Sequence, residues 1–126
     1  MDWKLELITV PVSDVDRAKA FYVDKAGFHA DHDQTVSPEL RFVQITPPGS
    51  ACSICFGIGL TDAAPGSAPG LQIVVSDIEA AHAQLKAGGV DVSDVDDQAW
   101  GRFVYFRDPD GNPWAIQQLP PRPTAG

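Results

Sequence analysis

The stretch Gly101-Arg-Phe-Val-Tyr-Phe-Arg-Asp-Pro-Asp-Gly-Asn-Pro-Trp-Ala-Ile-Gln-Gln118 decides the fold of this chain. Arg102 to Arg107 alternates in character and is rich in aromatic and β-branched residues, which is typical of a half-buried strand. Asp108 to Asn112 predicts a tight turn, because proline presets φ and Gly111 tolerates a positive φ. Trp114 to Gln117 then resumes the two-residue alternation. The stretch therefore predicts a β-hairpin.

An internal repeat extends this pattern to the whole chain. Val12-Ser-Asp-Val-x-x-Ala18 recurs as Val75-Ser-Asp-Ile-x-x-Ala81, and Arg41-Phe-Val43 recurs as Arg102-Phe-Val104. Each half predicts the order β-α-β-β-β, and a half alone is too short to bury a core of its own. We expect a first module, a linker, a second module and a disordered tail, at residues 1–60, 61–69, 70–119 and 120–126.

Both predicted helices follow a strand and begin at a capping box. Ser13 is the predicted N-cap of the first helix with Asp16 in the box position, and Ser76 and Glu79 have the same roles in the second. Gly27 is predicted to end the first helix. Outside the hairpin, strands are predicted at residues 5–12, 28–34, 40–46, 51–58, 70–75 and 90–95.

The composition indicates one compact domain and excludes two classes of partner. The 126 residues are 44% hydrophobic and 21% charged, with a net charge of −8. Only nine Lys and Arg residues are present, so no basic surface for nucleic acid is expected. No apolar run approaches the roughly 20 residues of a membrane helix, and the start does not resemble a secretory signal. A cytoplasmic protein is expected.

The chain combines two βαβββ modules with two motifs: the Val-Ser-Asp entry to the first helix with its Phe21-Tyr22 pair, and the Phe-x-Asp-Pro-Asp-Gly-Asn motif that ends at Asn112. This combination resembles the vicinal oxygen chelate superfamily. This superfamily includes glyoxalase I, extradiol dioxygenases and bleomycin resistance proteins. The resemblance implies an α+β fold in which curved mixed sheets surround a cavity, and it implies a homodimer. It covers essentially the whole chain.

In the metal enzymes of that superfamily, His, Gln and Glu side chains on the first and last strands of each module hold a divalent ion. The corresponding positions in this chain are Leu7, Gly70, Ala115 and Ile54, whose side chains cannot ligate a metal. A two-residue shift would bring only Gln72 to a ligand position. The sequence therefore predicts no metal and no cofactor.

The two-residue alternation also predicts which side chains line the cavity. The uniformly apolar face of each sheet should pack against the helices, so the opposite face should bind a small molecule. Trp100 is a candidate lid, or alternatively a dimer contact. An alternative is that the inward face only fills a closed core. The predicted ligand-binding residues are Leu7, Thr9, Phe42, Gln44, Ile54, Phe56, Gln72, Trp100, Phe103, Tyr105, Arg107, Ala115 and Gln117.

No reaction is predicted from the remaining polar residues, and the catalytic residues are unknown. His29 and His32 have odd spacing on an edge strand, which should place them on opposite faces. The alternation places no Asp, Glu or His on the inward face to act as a general base, which leaves Tyr105 as the only candidate acid. Cys52 and Cys55 lie three apart in a predicted strand, so a redox pair is not expected.

Three hypotheses remain open from the sequence. The first is a metal-independent protein that binds a small, aromatic or drug-like molecule for sequestration, resistance or transport. The second is a glyoxalase-like lyase or isomerase, or another enzyme of detoxification or secondary metabolism, that acts in the same cavity without a metal. The third is a metal-dependent lyase or dioxygenase, which only the resemblance supports.

Overall fold

The computed structural model describes residues 1–121, so most of the predicted disordered tail lies outside the described residues. The first helix continues as a π-helical segment at Phe21–Lys25. The elements are β1 (Leu7–Thr9), α1 (Val15–Ala20), β2 (His29–Ser37), β3 (Leu40–Thr46), β4 (Ser53–Ile58), β5 (Leu71–Val74), α2 (Ile78–Ala87), β6 (Asp96–Gln98), β7 (Gly101–Arg107) and β8 (Pro113–Gln118).

The strands form two four-stranded sheets with the same topology. The first has the order β1-β4-β3-β2 and the second has the order β5-β8-β7-β6. In each sheet the first strand of the module pairs in parallel with the last, and the other pairs are antiparallel. The prediction of an α+β fold with two βαβββ modules is confirmed.

Several predicted boundaries differ from the structure. The predicted hairpin forms as β7 and β8, and residues 40–46 form β3 as expected. The last short strand does not lie at residues 90–95, because β6 starts at Asp96, where the chain pairs with β7. Within residues 1–121 no helix is long and apolar enough to cross a membrane.

The predicted N-caps are each wrong by one residue. Asp14 caps α1 by accepting from the backbone N–H of Arg17, and Asp77 caps α2 by accepting from Ala80. Ser13 is not free to cap, because its hydroxyl donates to Asp110 of the distant hairpin at 2.6 Å. The helices therefore begin one residue later than the capping-box pattern indicates.

The hydrophobic core lies between the helices and the face of each sheet that packs against them. Tyr22 has no exposed surface and contacts Phe28, Phe56 and Trp114 through its ring. Phe21 of the same π-helical segment contacts Phe106 of β7 at a ring-centroid distance of 6.0 Å. The first helix thus packs on strands of both modules, which joins them in one core.

The turn of the hairpin fastens the second module to the first. Asn112 is buried, and its Nδ2 donates to the carbonyl of Pro11 at 2.8 Å, while its Oδ1 accepts from the N–H of Ala68 at 3.0 Å. Asp110 accepts from both the N–H and the hydroxyl of Ser13. The Asp-Pro-Asp-Gly-Asn motif thereby holds the start of α1 in place.

Candidate functional site

Each sheet has one face turned away from the helices, which we call its open face. Strand pairing assigns Leu7, Thr9, Phe42 and Gln44 to the open face of the first sheet. The open face of the second sheet carries Gln72, Val74, Phe103, Tyr105, Arg107, Ala115 and Gln117. Leu7, Val74 and Tyr105 are 37%, 57% and 42% exposed, so both open faces are accessible in a single chain.

Two rows of side chains cross the second open face. In one row Gln72 pairs with Ala115, which pairs with Tyr105. In the next row Gln117 lies between Val74 and Phe103. Because strands lie about 4.8 Å apart, the methyl group of Ala115 leaves a low floor between an amide on one side and a phenol on the other.

Phe103 and Tyr105 form an aromatic surface on β7, of which Tyr105 is exposed and Phe103 is buried. Their rings are parallel, with an interplanar angle of 3° and a centroid distance of 5.9 Å. The Tyr105 hydroxyl donates to Asp96 of β6 at 3.3 Å. Desolvation of the hydroxyl and this carboxylate raise the pKa of Tyr105, so the phenol stays neutral and able to donate.

The aromatic surface adjoins a groove of about 500 Å³ at the end of β7, lined by Tyr105, Arg107 and Trp114 among others. The Arg107 guanidinium donates to the carbonyl of Gly111 at 2.8 Å, which holds it beside the hairpin turn. The groove is therefore bordered by a phenol and a guanidinium. A second groove, of about 310 Å³, includes Ile54 and Gln72 in its lining and lies between β1 and β5.

A chain of amides runs along the other side of the open face. The Gln117 side chain donates through Nε2 to the backbone carbonyl of Trp100 at 2.8 Å. Gln117 Oε1 accepts from Nε2 of Gln72 in turn. Trp100 itself is exposed at the turn before β7, and its backbone carbonyl contacts the Gln117 side chain. Its backbone therefore contributes to the site, while the lid role of its ring stays a prediction.

Ile54 and Phe56 do not belong to the open face, and their prediction as ligand-binding residues is corrected. The β3–β4 register pairs Ile45 with Ile54 and Val43 with Phe56, which places both on the helix side of the sheet. The ring of Phe56 stacks on Tyr22 instead. The error arises because the hairpin between β3 and β4 is one residue longer than its counterpart between β7 and β8.

The first open face has a polar cluster that the sequence did not reveal. The β2–β3 register shifts between Ala30 and His32, so Asp31 occupies a β-bulge. The hydroxyl of Thr46 donates to Asp31 and lies 2.5 Å from the hydroxyl of Ser53. Since Thr46 donates to the carboxylate, the hydroxyl of Ser53 donates to Thr46. A carboxylate therefore lies at the open face, contrary to the prediction.

The same bulge corrects the prediction for the histidines. His29 pairs with Thr46 and His32 pairs with Gln44, so both histidines lie on the open-face side rather than on opposite faces. His29 Nε2 is 3.7 Å from Oδ1 of Asp31. Neither a bulge nor this polar cluster has a strong signal in the two-residue alternation, because the pattern assumes that no extra residue interrupts the strand.

The residues at the implied metal positions do not match the donor set of a divalent ion. Leu7 and Ala115 lie on the open faces with hydrocarbon side chains, and Gly70 precedes β5. In the last strand of the first sheet, the open-face position beside Thr9 is Cys55, and their Oγ1 and Sγ atoms are 3.4 Å apart. Among residues 1–121 no group of three or more His, Cys, Asp or Glu side chains could hold a metal ion.

The chain is similar to several solved structures and to one curated bacterial protein. TnmS3, an antibiotic binding protein from Streptomyces sp. CB03234, is 35% identical, with a TM-score of 0.84 over 94% of this chain and 98% of that chain. A glyoxalase/bleomycin resistance protein from the same strain is 36% identical, with a TM-score of 0.79 over 91% of this chain and 100% of that chain. The uncharacterized protein YetH of Bacillus subtilis (strain 168) is 25% identical over 113 residues, which are 88% of this chain and 94% of YetH.

A family model matches nearly the full length of the described chain. The model is that of the Glyoxalase/Bleomycin resistance protein/Dioxygenase superfamily, and it matches residues 4–116. This range contains the first βαβββ module, the Asp-Pro-Asp-Gly-Asn motif and the second module as far as Ile116 of β8. This chain belongs to the Glyoxalase/Bleomycin resistance protein/Dioxygenase superfamily.

Proposed function

We propose that this chain is a metal-independent binding protein that holds a small, planar aromatic or drug-like molecule. The observation that carries the proposal is the second open face, where the exposed ring of Tyr105 lies parallel to the buried ring of Phe103 and adjoins the low floor at Ala115. A flat ligand can stack on such a surface, and few charged groups compete with it. TnmS3, which is described as an antibiotic binding protein, is the similar structure that supports this role.

We propose that the binding cavity is completed by a second copy of the chain. A single chain leaves Leu7, Val74 and Tyr105 of its open faces exposed to solvent. Apolar surface of this kind is stabilised when another surface covers it. A homodimer that brings two open faces together would enclose the ligand on both sides. The cytoplasmic location expected from the sequence stays a prediction.

The experiment that tests the proposed function is calorimetric titration with planar aromatic compounds, together with metal analysis of the purified protein. We expect an aromatic compound to bind with the same affinity before and after treatment with a chelator. A hundredfold excess of ligand over its dissociation constant should stabilise the fold by about 2.7 kcal/mol. Stoichiometric metal that chelation removes together with ligand affinity would contradict metal independence.

A second candidate function is catalysis by the polar cluster of the first open face. Asp31 and His29 are groups of the kind that accept and donate protons in catalysis, and both lie on the open-face side of the first sheet. Under this hypothesis the protein is a metal-independent lyase or isomerase. Mass spectrometry of a bound compound after long incubation separates the two functions: a pure binding protein returns the compound unchanged, whereas an enzyme returns a product whose formation D31N abolishes.

A further inference from the structure

We infer that Gln72 selects ligands that carry a hydroxyl group on the edge of their aromatic ring system. This inference rests on the proposed function and concerns the same site. Its basis is the chain of hydrogen bonds from the backbone of Trp100 through Gln117 to Gln72. That chain determines which atoms of the Gln72 amide remain available to a ligand.

The first step is the orientation of Gln117. A backbone carbonyl can only accept, so the Gln117 atom that lies 2.8 Å from the oxygen of Trp100 must be the nitrogen Nε2. The other end of the amide, Oε1, is then turned towards Gln72. Gln117 is buried, and within residues 1–121 no buried side-chain nitrogen or oxygen lacks a partner, so this orientation satisfies the amide.

The second step is the orientation of Gln72. Gln117 Oε1 can only accept, so Gln72 must present its Nε2 to it. The hydrogen bonds formed within residues 1–121 include none to Oε1 of Gln72. The free edge of the Gln72 amide therefore consists of the acceptor Oε1 and one remaining N–H. A hydroxyl group matches this edge, because it can donate to Oε1 and accept from the N–H.

The third step is the position of this edge relative to the aromatic surface. Gln72 lies two strands from Tyr105, and Ala115 separates them. A planar ligand that lies on Ala115 beside the ring of Tyr105 therefore has its opposite edge at Gln72. A hydroxyl on that edge meets the free amide, whereas a hydrocarbon edge would leave Oε1 without a donor when the site closes.

Gly101 allows the amide chain to form. A Cβ atom at this position would lie 2.8 Å from Nε2 of Gln117 and 2.8 Å from the carbonyl oxygen of Gln118. The φ of Gly101 is also +150°, which L side chains rarely adopt. The glycine thus lets the side chain of Gln117 approach the carbonyl of Trp100, and Gln117 acts as a positioning residue for Gln72.

The test compares two ligands that differ only in the donor. The probes are 2-hydroxyphenazine and 2-methoxyphenazine, since the methoxy compound keeps the ring and the oxygen acceptor but cannot donate. Titration calorimetry would measure both on the wild type, on Gln72→Met and on the control Gln84→Met, which changes an exposed glutamine of α2. We expect the wild type and the control to prefer the hydroxy compound about tenfold, and Gln72→Met to show a preference within about twofold.

A second variant separates orientation from simple contact. Gln117→Met keeps Gln72 but removes the partner that orients it, so we expect the preference for the hydroxy compound over the methoxy compound to fall in the same direction as in Gln72→Met. An unchanged tenfold preference in Gln72→Met would overturn the inference and leave the proposed function intact. If the wild type bound neither phenazine nor any other planar aromatic compound, both the inference and the proposed function would be overturned.

Discussion

Asp108 is the residue whose side chain has the most hydrogen bonds in the hairpin turn. It is buried, and its carboxylate accepts from the N–H groups of Asp110 and Asn112, from Asn112 Nδ2 and from the hydroxyl of Tyr22 at 2.7 Å. The Tyr22 hydroxyl also accepts from Nε1 of Trp114 at 3.0 Å. Burial and then the charge of Asp108 raise the pKa of Tyr22, so it remains a donor.

This network predicts that loss of the Tyr22 hydroxyl alone lowers the stability of the fold substantially. Tyr22→Phe removes one oxygen and leaves both Asp108 and the Trp114 indole with one partner fewer in a buried place. We expect the free energy of unfolding to fall by about 2 kcal/mol, because unsatisfied buried polar groups are costly. The measurement is urea unfolding followed by tryptophan fluorescence.

Tyr105→Phe is the matched control for that variant. It removes the same hydroxyl from an exposed tyrosine, which donates to Asp96 at 3.3 Å. We expect a change within about 0.5 kcal/mol, as for other surface substitutions. Equal losses in Tyr22→Phe and Tyr105→Phe would show that the buried network does not stabilise the fold.

Sequence reasoning predicted the turn at residues 108–112 but not its polar contacts. Proline and glycine in the motif determine the backbone shape, which is a local property. The partners of Asn112 and Asp110 are Pro11 and Ser13, nearly the whole chain away. No local pattern indicates such distant pairs. The contact between Ser13 and Asp110 is one of them, so the local pattern predicts Ser13 as the N-cap although Asp14 has this role.

At the scale of elements, charged side chains join α1 to the second and third strands. Arg41 of β3 donates to Asp33 of β2 and to Asp16 of α1 at 2.8–3.0 Å, and Lys19 donates to Asp33 at 2.8 Å. The hydrogen bonds from Arg41 and then from Lys19 hold the pKa of Asp33 well below its usual range. The carboxylate of Asp33 is thus favoured in the folded state.

A pH dependence of stability follows from this contact. A carboxyl whose pKa is lowered by folding contributes stability above its unfolded pKa of about 3.9, and this stability is lost as the pH falls towards the lower folded value. We expect Asp33→Asn to lower the free energy of unfolding by about 1 kcal/mol at pH 7. The difference from the wild type should shrink at pH 3. Asp24→Asn, in the exposed part of the π-helical segment, is the control and should change little at either pH.

The floor of the second sheet gives a prediction about ligand binding. Ala115 pairs with Gln72 on one side and with Tyr105 on the other, so a large side chain there would occupy the space between them. We expect Ala115→Phe to weaken the binding of a planar aromatic compound at least tenfold while the protein stays folded. Calorimetric titration measures the affinity, and circular dichroism checks the fold. Unchanged affinity in a folded Ala115→Phe would move the ligand away from this floor.

The alternation of side chains predicted the second open face better than the first. The residues of β7 and β8 lie where the pattern placed them, because no bulge interrupts these strands in the described pairing. In the first sheet the bulge at Asp31 and the extra residue before β4 each shift the alternation by one residue, which moves the side chains that follow to the opposite face. The pattern therefore separates His29 from His32, which share the open-face side, and places Ile54 on the wrong face.

At the scale of the whole molecule, the open faces predict an interface between two copies. Val74 lies on the edge strand β5 and is 57% exposed. If a second copy covers this face, Val74→Glu places a charge in an apolar contact and should raise the dissociation constant of the dimer at least tenfold. Sedimentation equilibrium measures this constant. Val36→Glu, which changes an exposed valine of the edge strand β2, is the control and should leave the dimer intact.

The long-range contacts of Asn112 have a consequence for biosynthesis. Its hydrogen bond to Pro11 spans 101 residues of sequence, and the Trp114 indole reaches Tyr22 across 92 residues. Nascent chains emerge from the ribosome amino terminus first, so the first module appears before the residues that complete its core exist. Until the hairpin of β7 and β8 is made, the Tyr22 hydroxyl has neither Asp108 nor the Trp114 indole as a partner. Native packing of the first module therefore follows the synthesis of β8, and a chain truncated before β8 should leave part of that core exposed.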